Sequence, residues 1–241
     1  MVRILNYIWR FWFLILGIVL TFLLGPFIYL FSFRESHYKI CYAFIRLWCL
    51  GMFYGMGFRY ETIRLTDKKI EKDGKYVIIS NHTSMVDVFL PCIMHPEHPL
   101  SYVGKKELEK IPVFGTIYKK VCVTVDRKNA QSRAEVYTKC AERIEEGKNI
   151  VIFPEGGVPD DVSVVLSDFK DGAFILSSKY KYPIVVYTYV GPKKMFPFDN
   201  GRGYPGKIKV YLNDIIEPNQ SVQDLKNNAW QQIKETLDKN S

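Results

Sequence analysis

The sequence predicts an α/β protein: a mainly parallel mixed sheet flanked by helices, preceded by a membrane-anchoring helical hairpin. Three observations carry this expectation. Short β-rich apolar runs alternate with helical patterns from about residue 58 onward, the signature of strand–helix–strand units. The run from Phe11 to Phe33 holds 23 residues without a charge. Polar clusters stand directly after three of the apolar runs, as they do where loops at strand ends build a crevice.

Taken in chain order, the Phe11–Phe33 segment comes first. At 1.5 Å per residue it reaches roughly 34 Å as a helix, enough for a hydrocarbon core. It is too long for a signal-peptide apolar region and no A-x-A site follows, so it is expected to be retained. Gly25-Pro26 inside it is expected to kink or end the helix. A second apolar run, Ile40 to Phe58, is broken by Arg46 and carries Gly51, Gly55 and Gly57; it reads as an interfacial helix. The division expected is residues 1–57 as membrane-anchoring helices and 58–241 as an α/β domain.

The chain has 241 residues and a net charge of +8, and residues 1–60 supply six Lys and Arg against the single acid Glu35. A basic excess flanking an apolar segment points to anionic lipid headgroups, and no zinc-finger or RNA-recognition motif is present, so nucleic acid is not the expected partner. Arg3 and Arg10 before the segment balance Arg34 and Lys39 after it, which gives a full span no preferred orientation. The expected arrangement is two helices that enter one leaflet and return, with the folded domain on the cytoplasmic face. The five cysteines, Cys41, Cys49, Cys92, Cys122 and Cys140, lack C-x-x-C spacing and read as buried thiols in a reducing compartment.

Arg59–Leu65 alternates weakly, as an edge strand does, and Lys68–Gly74 is a polar turn. Further strands are expected at Tyr76–Ser80, Leu100–Val103, Val121–Val125, Ile150–Phe153, Ile184–Tyr189 and Ile208–Leu212. Helices are expected at Val86–Met94, Ala130–Glu146, Gly172–Ser178 and Val222–Leu237. Gly147 follows the Ala130–Glu146 pattern as a C′ glycine would.

The chain is organised around Asn81-His82-Thr83-Ser84-Met85-Val86-Asp87. Five residues advance a helix by about 500°, so His82 and Asp87 meet only if the histidine sits in the turn and the carboxylate in the first helical turn. There they form a general base with its orienting partner. Ser84-x-x-Asp87 is also a capping box, and spacing alone leaves both readings open. Phe153-Pro154-Glu155-Gly156-Gly157 follows another strand; its glycines allow backbone N–H groups to approach an anion, and Glu155 can meet a substrate hydroxyl. Arg127 follows a third strand, able to grip a phosphate or to pair with Asp126. Lys105-Lys106 and Pro112-x-Phe114-Gly115 lie between, in a basic, aromatic loop.

His82-x4-Asp87, Lys105…Pro112-x-Phe114-Gly115, Arg127, Phe153-Pro154-Glu155-Gly156, Phe169-Lys170-x-Gly172-Ala173 and Tyr182-Pro183-Ile184-Val185 occur in this order. The set resembles the 1-acyl-sn-glycerol-3-phosphate acyltransferase (lysophosphatidic acid acyltransferase, PlsC-like) family of glycerolipid acyltransferases, from about Phe58 to Leu212. The resemblance implies a membrane-bound enzyme of class 2.3.1. It would move a fatty acyl group from acyl-CoA or acyl carrier protein to the sn-2 hydroxyl of lysophosphatidic acid, giving phosphatidic acid. It implies His82 and Asp87 as catalytic residues, and Lys105, Arg127, Glu155, Gly156 and Gly157 as substrate-binding residues. It calls for no metal and no bound cofactor. Two departures concern the acceptor: Gly157-Val158-Pro159 stands where the family usually has Thr and Arg after Glu-Gly, and Val121 where it usually has Gly. The rival acceptors are glycerol-3-phosphate and a lyso-aminolipid; the rival classes are a non-catalytic lipid-binding protein and a hydrolase.

Overall fold

The computed structural model describes residues 2–126, 128–159, 161, 163–198 and 202–240. Helix α1 (Val2–Phe31) and helix α2 (Tyr38–Gly55) form the N-terminal hairpin, joined through a 3-10 turn at Glu35–His37. Seven strands follow, β1 (Arg59–Arg64), β2 (Val77–Ser80), β3 (Leu100–Lys105), β4 (Val123–Val125), β5 (Asn149–Ile152), β6 (Ile184–Val190) and β7 (Lys207–Ile216). Between and after them lie α3 (Phe89–Met94), α4 (Phe114–Val121), α5 (Ala130–Glu145), α6 (Gly172–Tyr180), α7 (Pro192–Met195) and α8 (Val222–Asn240).

The sheet order is β1-β7-β6-β2-β5-β3-β4. Five strands, β6, β2, β5, β3 and β4, run parallel, β7 is antiparallel to β6, and β1 pairs parallel to β7 at the edge. The central strand β2 is buried at all four positions, as a parallel strand covered on both faces must be. Ile78 faces the core shared with α2 and α3; Val77 and Ile79 face the core closed by α5, α6 and α8. Each of the seven expected strands is present, and β1 is the edge strand.

One N-terminal expectation is corrected, the ending of the first helix at Gly25-Pro26. Helix α1 neither ends nor starts anew at Gly25-Pro26; Pro26 lies inside one helix of 30 residues. Contacts with α2 flank the proline on both sides: the Trp48 indole N–H donates to Thr21 Oγ1 at 3.1 Å, and Phe31 stacks on Phe44 at 5.9 Å. Helix α2 has one face in the core and one face exposed, with Ile40, Leu47 and Tyr54 open. Tyr38, Cys41, Tyr42, Cys49, Met52 and Phe53 on it are buried in the core that also takes Ile78, Val185 and Val210 from the sheet. A cut after residue 57 therefore removes part of the main core. The two helices approach closely because Gly51 and Gly55 face α1: a Cβ on either would stand 2.8 Å from Leu20 and 2.6 Å from Leu16. By contrast Ile4–Phe31 is long and apolar enough to cross a membrane by length and composition, and only Gly25 and Ile28 within it are buried.

His95, just past α3, is 3% exposed; its carbonyl accepts from the Tyr42 hydroxyl at 2.7 Å and its Nε2 lies 3.1 Å from the Tyr187 hydroxyl. Burial pushes its pKa down to about 3. The unfolded chain binds this proton near the ordinary pKa of roughly 6.5, so the contribution to stability is complete above that pH and is lost as pH falls towards 3. Denaturant titrations at pH 7 and 5 should show a loss of about 1–2 kcal/mol assignable to this residue, since each pH unit in the window is worth about 1.4 kcal/mol. His95→Gln should flatten that acid limb; an unchanged limb would assign the acid loss to another group.

Candidate active site

The carboxyl ends of the five parallel strands lie on one edge of the sheet, and the polar clusters follow them. His82 sits in the turn after β2, and Asp87 in a 3-10 turn, Met85–Val88, that leads into α3. His82 Nδ1 is 3.3 Å from Asp87 Oδ2. The capping box is also real: Ser84 Oγ accepts from the Val86 N–H at 3.2 Å, and Asp87 Oδ2 accepts from the N–H of Thr83 at 2.6 Å and of Ser84 at 2.8 Å. The two readings of the spacing are one object. The box turns the chain so that the carboxylate reaches back to the histidine.

The chemistry of the pair follows from its surroundings. Asp87 is fully buried, and three donors converge on one of its oxygens while Oδ1 has no partner among the described residues. With Nδ1–H donating to Asp87, Nε2 is the unprotonated nitrogen, a tautomer assigned from the network. The imidazole stacks on Phe153 at 4.3 Å, which fixes its plane, and 17% of the side chain stays exposed.

Two further residues hold this turn. Asn81 is fully buried, donates through Nδ2 to the Tyr189 carbonyl at 3.0 Å and accepts the Tyr189 N–H at 2.8 Å, so it pins the end of β2 to β6. Ser84 Oγ donates to the Phe196 carbonyl at 2.7 Å. A polar residue directly after an apolar strand was the available signal for Asn81, and residue spacing alone gives it no partner.

Glu155 binds two backbone donors. Its Oε1 accepts the His82 backbone N–H at 2.6 Å, and its Oε2 accepts the Ser167 N–H at 2.8 Å. It straps the histidine's turn to the loop after β5, and burial raises its pKa. Gly156 donates its N–H to the Phe153 carbonyl at 3.0 Å within the turn, whereas Gly157 lines the cleft with no backbone bond of its N–H among the described residues. Lys105 stands exposed at the end of β3, on the wall of the same cleft. Arg127 lies outside the described residues.

The region expected to run as a loop into a strand at Val121 contains helix α4 instead, and β4 begins only at Val123. Val113 precedes it at φ 64 and ψ −59, with the Phe114 N–H bonded to the Pro112 carbonyl at 2.7 Å: a γ-turn of the rare, strained hand. Helices α4 and α1 both line a cleft of about 1990 Å³. Its lining follows β3 from Lys105 to Leu100, five steps or about 17 Å. His82, Lys105 and Gly157 mark the polar end, and Gly17, Thr21, Trp48 and Ile117 belong to the apolar walls. A base with its orienter at the mouth of a long apolar cleft suits a substrate with one reactive polar group and one alkyl chain.

A family model described as Acyltransferase matches residues 62–190, more than half of the chain. The chain belongs to this family.

Among similar acyltransferases of known name, a probable 1-acyl-sn-glycerol-3-phosphate acyltransferase of Mycoplasma pneumoniae is 30% identical over 177 residues, covering 66% of this chain and 65% of that protein. A 1-acyl-sn-glycerol-3-phosphate acyltransferase of Chlamydomonas reinhardtii is 25% identical over 68% of this chain and 49% of its own length. The chain thus spans about half to two thirds of these relatives. The crystal structure of the 1-acyl-sn-glycerophosphate (LPA) acyltransferase PlsC from Thermotoga maritima superposes with a TM-score of 0.80 at 21% identity, covering 99% of this chain and 97% of that one. It shares the acyltransferase fold seen here, the helical hairpin included in the matched length.

Proposed function

We propose that this protein transfers a fatty acyl group from an acyl thioester to the free hydroxyl of a lysophosphatidic acid, giving phosphatidic acid. The observation that carries the reading is the His82–Asp87 pair at the polar end of the apolar cleft. The names of the relatives, 1-acyl-sn-glycerol-3-phosphate acyltransferases, supply the acceptor.

In the reaction, His82 Nε2 takes the proton of the acceptor hydroxyl as its oxygen attacks the thioester carbonyl. Asp87 stabilises the imidazolium so formed. The Gly157 N–H serves the oxyanion of the tetrahedral intermediate. Collapse breaks the carbon–sulfur bond, and the imidazolium returns its proton to the departing thiolate, so the products are an ester and a free thiol. Positioned base catalysis contributes roughly 10²–10⁴-fold. Lys105 and Arg127 hold the acceptor phosphate. Helix α1 lies in one leaflet, with the cleft beside the lipid surface and the sheet domain on the cytoplasmic side.

The test uses the full chain in detergent or lipid, labelled acyl-CoA and acyl carrier protein, and a panel of lyso-acceptors, glycerol-3-phosphate and lyso-aminolipids included. Phosphatidic acid should form fastest. Free fatty acid released at the same rate with and without acceptor would make the protein a hydrolase, and binding without turnover a lipid-binding protein.

Lys105→Ala and Arg127→Ala should raise the KM for a phosphate-bearing acceptor far more than that for the thioester. A charge-assisted contact is worth about 1.5–3 kcal/mol, or roughly 10–150-fold. Equal effects on both substrates would remove either residue from the acceptor site.

A further inference from the structure

One charged cluster outside the catalytic turn lies where it can govern the cleft. Lys148, the residue before β5, is 1% exposed, and its ammonium has three partners. It contacts Glu35 at the corner of the helical hairpin, Glu146 Oε2 at 2.8 Å, and the face of Tyr38 at 4.2 Å from the ring centre. Arg143 completes a neutral quartet, with Nη1 3.0 Å from Glu35 Oε1 and 3.3 Å from Glu146 Oε2.

The quartet joins the two walls of the cleft. Arg143 Nη2 donates to the Lys120 carbonyl at 3.2 Å, near the C-terminal end of α4, and the Lys120 ammonium lies 3.6 Å from the centre of the Phe33 ring, just past α1. The Tyr38 hydroxyl donates to the Leu100 carbonyl at 2.9 Å, and Leu100 lines the cleft at the end of β3 away from Lys105. On the walls, Gly25 of α1 meets Ile117 of α4, whose Cδ1 would stand 3.3 Å from an added Cβ. Lys148 is buried while Glu35 and Glu146 stay partly exposed, and a buried ammonium is costly unless it keeps its partners. A rigid corner here fixes how far α1 stands from α4.

We propose that the Lys148–Glu35 quartet sets the depth of the apolar cleft by locking the hairpin corner to α4 and α5, which makes Lys148 a positioning residue for acyl-chain selection. The step from depth to selection rests on the function proposed above. An alkyl chain that exceeds a fixed cleft must expel part of itself or deform the wall, and a pocket discriminates one methylene by about 10–200-fold.

The experiment measures kcat/KM for saturated acyl thioesters of graded length with lysophosphatidic acid, in wild type, Lys148→Met and Glu35→Gln. Wild type should show a sharp optimum. Lys148→Met should raise the ratio of the next longer chain to that optimum at least threefold, with the KM for the acceptor unchanged. Glu35→Gln, which keeps Glu146 beside Lys148, should shift the profile the same way by less, and it carries the test if Lys148→Met does not fold. Quenching of tryptophan fluorescence by brominated fatty acids of the same lengths reads the cleft without turnover, since Trp48 lines it. A uniform fall across all chains, or an unchanged profile in both variants, would overturn the proposal. A shifted quenching profile in a protein that transfers no acyl group would instead overturn the function and leave the cleft-depth role standing.

Discussion

In His82→Ala, acyl transfer should fall by roughly 10²–10⁴-fold, the range that a positioned base contributes, while the far-UV CD spectrum and melting temperature stay near wild type. The stability expectation comes from the contacts. What holds the turn is the His82 backbone N–H on Glu155, the Asp87 carboxylate on two backbone donors and Asn81 on β6, and none of these needs the imidazole. Asp87→Asn should be nearly as damaging to turnover. An asparagine can keep its oxygen at the Oδ2 position, where the Thr83 and Ser84 N–H groups and His82 arrive, and put its NH₂ at Oδ1, which has no partner among the described residues. The turn survives this exchange at about 1–3 kcal/mol for a buried, unmatched amide. The negative charge that stabilises an imidazolium is gone. Steady-state rates with a saturating thioester decide the matter: a His82→Ala protein that keeps more than about a tenth of wild-type turnover is incompatible with the general-base role.

The other large effect is expected from a residue far less conspicuous. In Gly115→Ala the new Cβ would lie 2.1 Å from the Glu109 carbonyl oxygen and 2.5 Å from its carbon, both backbone atoms that cannot swing aside. Either the Lys106–Lys110 turn moves or the start of α4 does, and the Gly115 N–H bond to the Ile111 carbonyl, 2.7 Å long, goes with it. Overpacking of this kind costs typically about 1–3 kcal/mol. Some 2–4 °C of melting temperature are lost per kcal/mol in a domain of this size, so a drop of roughly 2–12 °C is expected. Turnover should suffer more than stability, because α4 is a wall of the cleft and the displaced turn follows Lys105. Thermal melts alongside rates on one preparation test this, and a Gly115→Ala protein with wild-type melting and rate would show that the Glu109 turn yields without consequence.

Sequence periodicity exposed the sheet because parallel strands buried on both faces must be nearly all apolar, and the polar residues that end them stand out. It also brought His82 and Asp87 together, since only a turn-then-helix geometry closes a five-residue gap. Helix α4 was hidden for a physical reason. Its eight residues hold Gly115, Thr116, Ile117 and Val121, poor helix formers whose order comes from packing between α1 and the strand β4. The partners of Glu155 were not legible, because a carboxylate in a glycine-rich turn has no sequence-local partner; its two donors come from residues 82 and 167. The buried face of α2 was not legible, since an apolar helix looks the same whether lipid or a sheet covers it. Pro26 does not end α1, whose contacts with α2 continue on both sides of it.

The pairing of β1 bears on how the protein is made. Arg59 of β1 faces Lys207 of β7, a separation of 148 residues, and β7 is the strand that joins β1 to the rest of the sheet. As the chain leaves the ribosome, α1 is complete and apolar while β1 still has no strand to pair with and α2 has no sheet to cover. Long-range pairing of this order is slow, and unpaired strand edges favour aggregation. Loss of the last strand would leave β1 and one side of β6 open together.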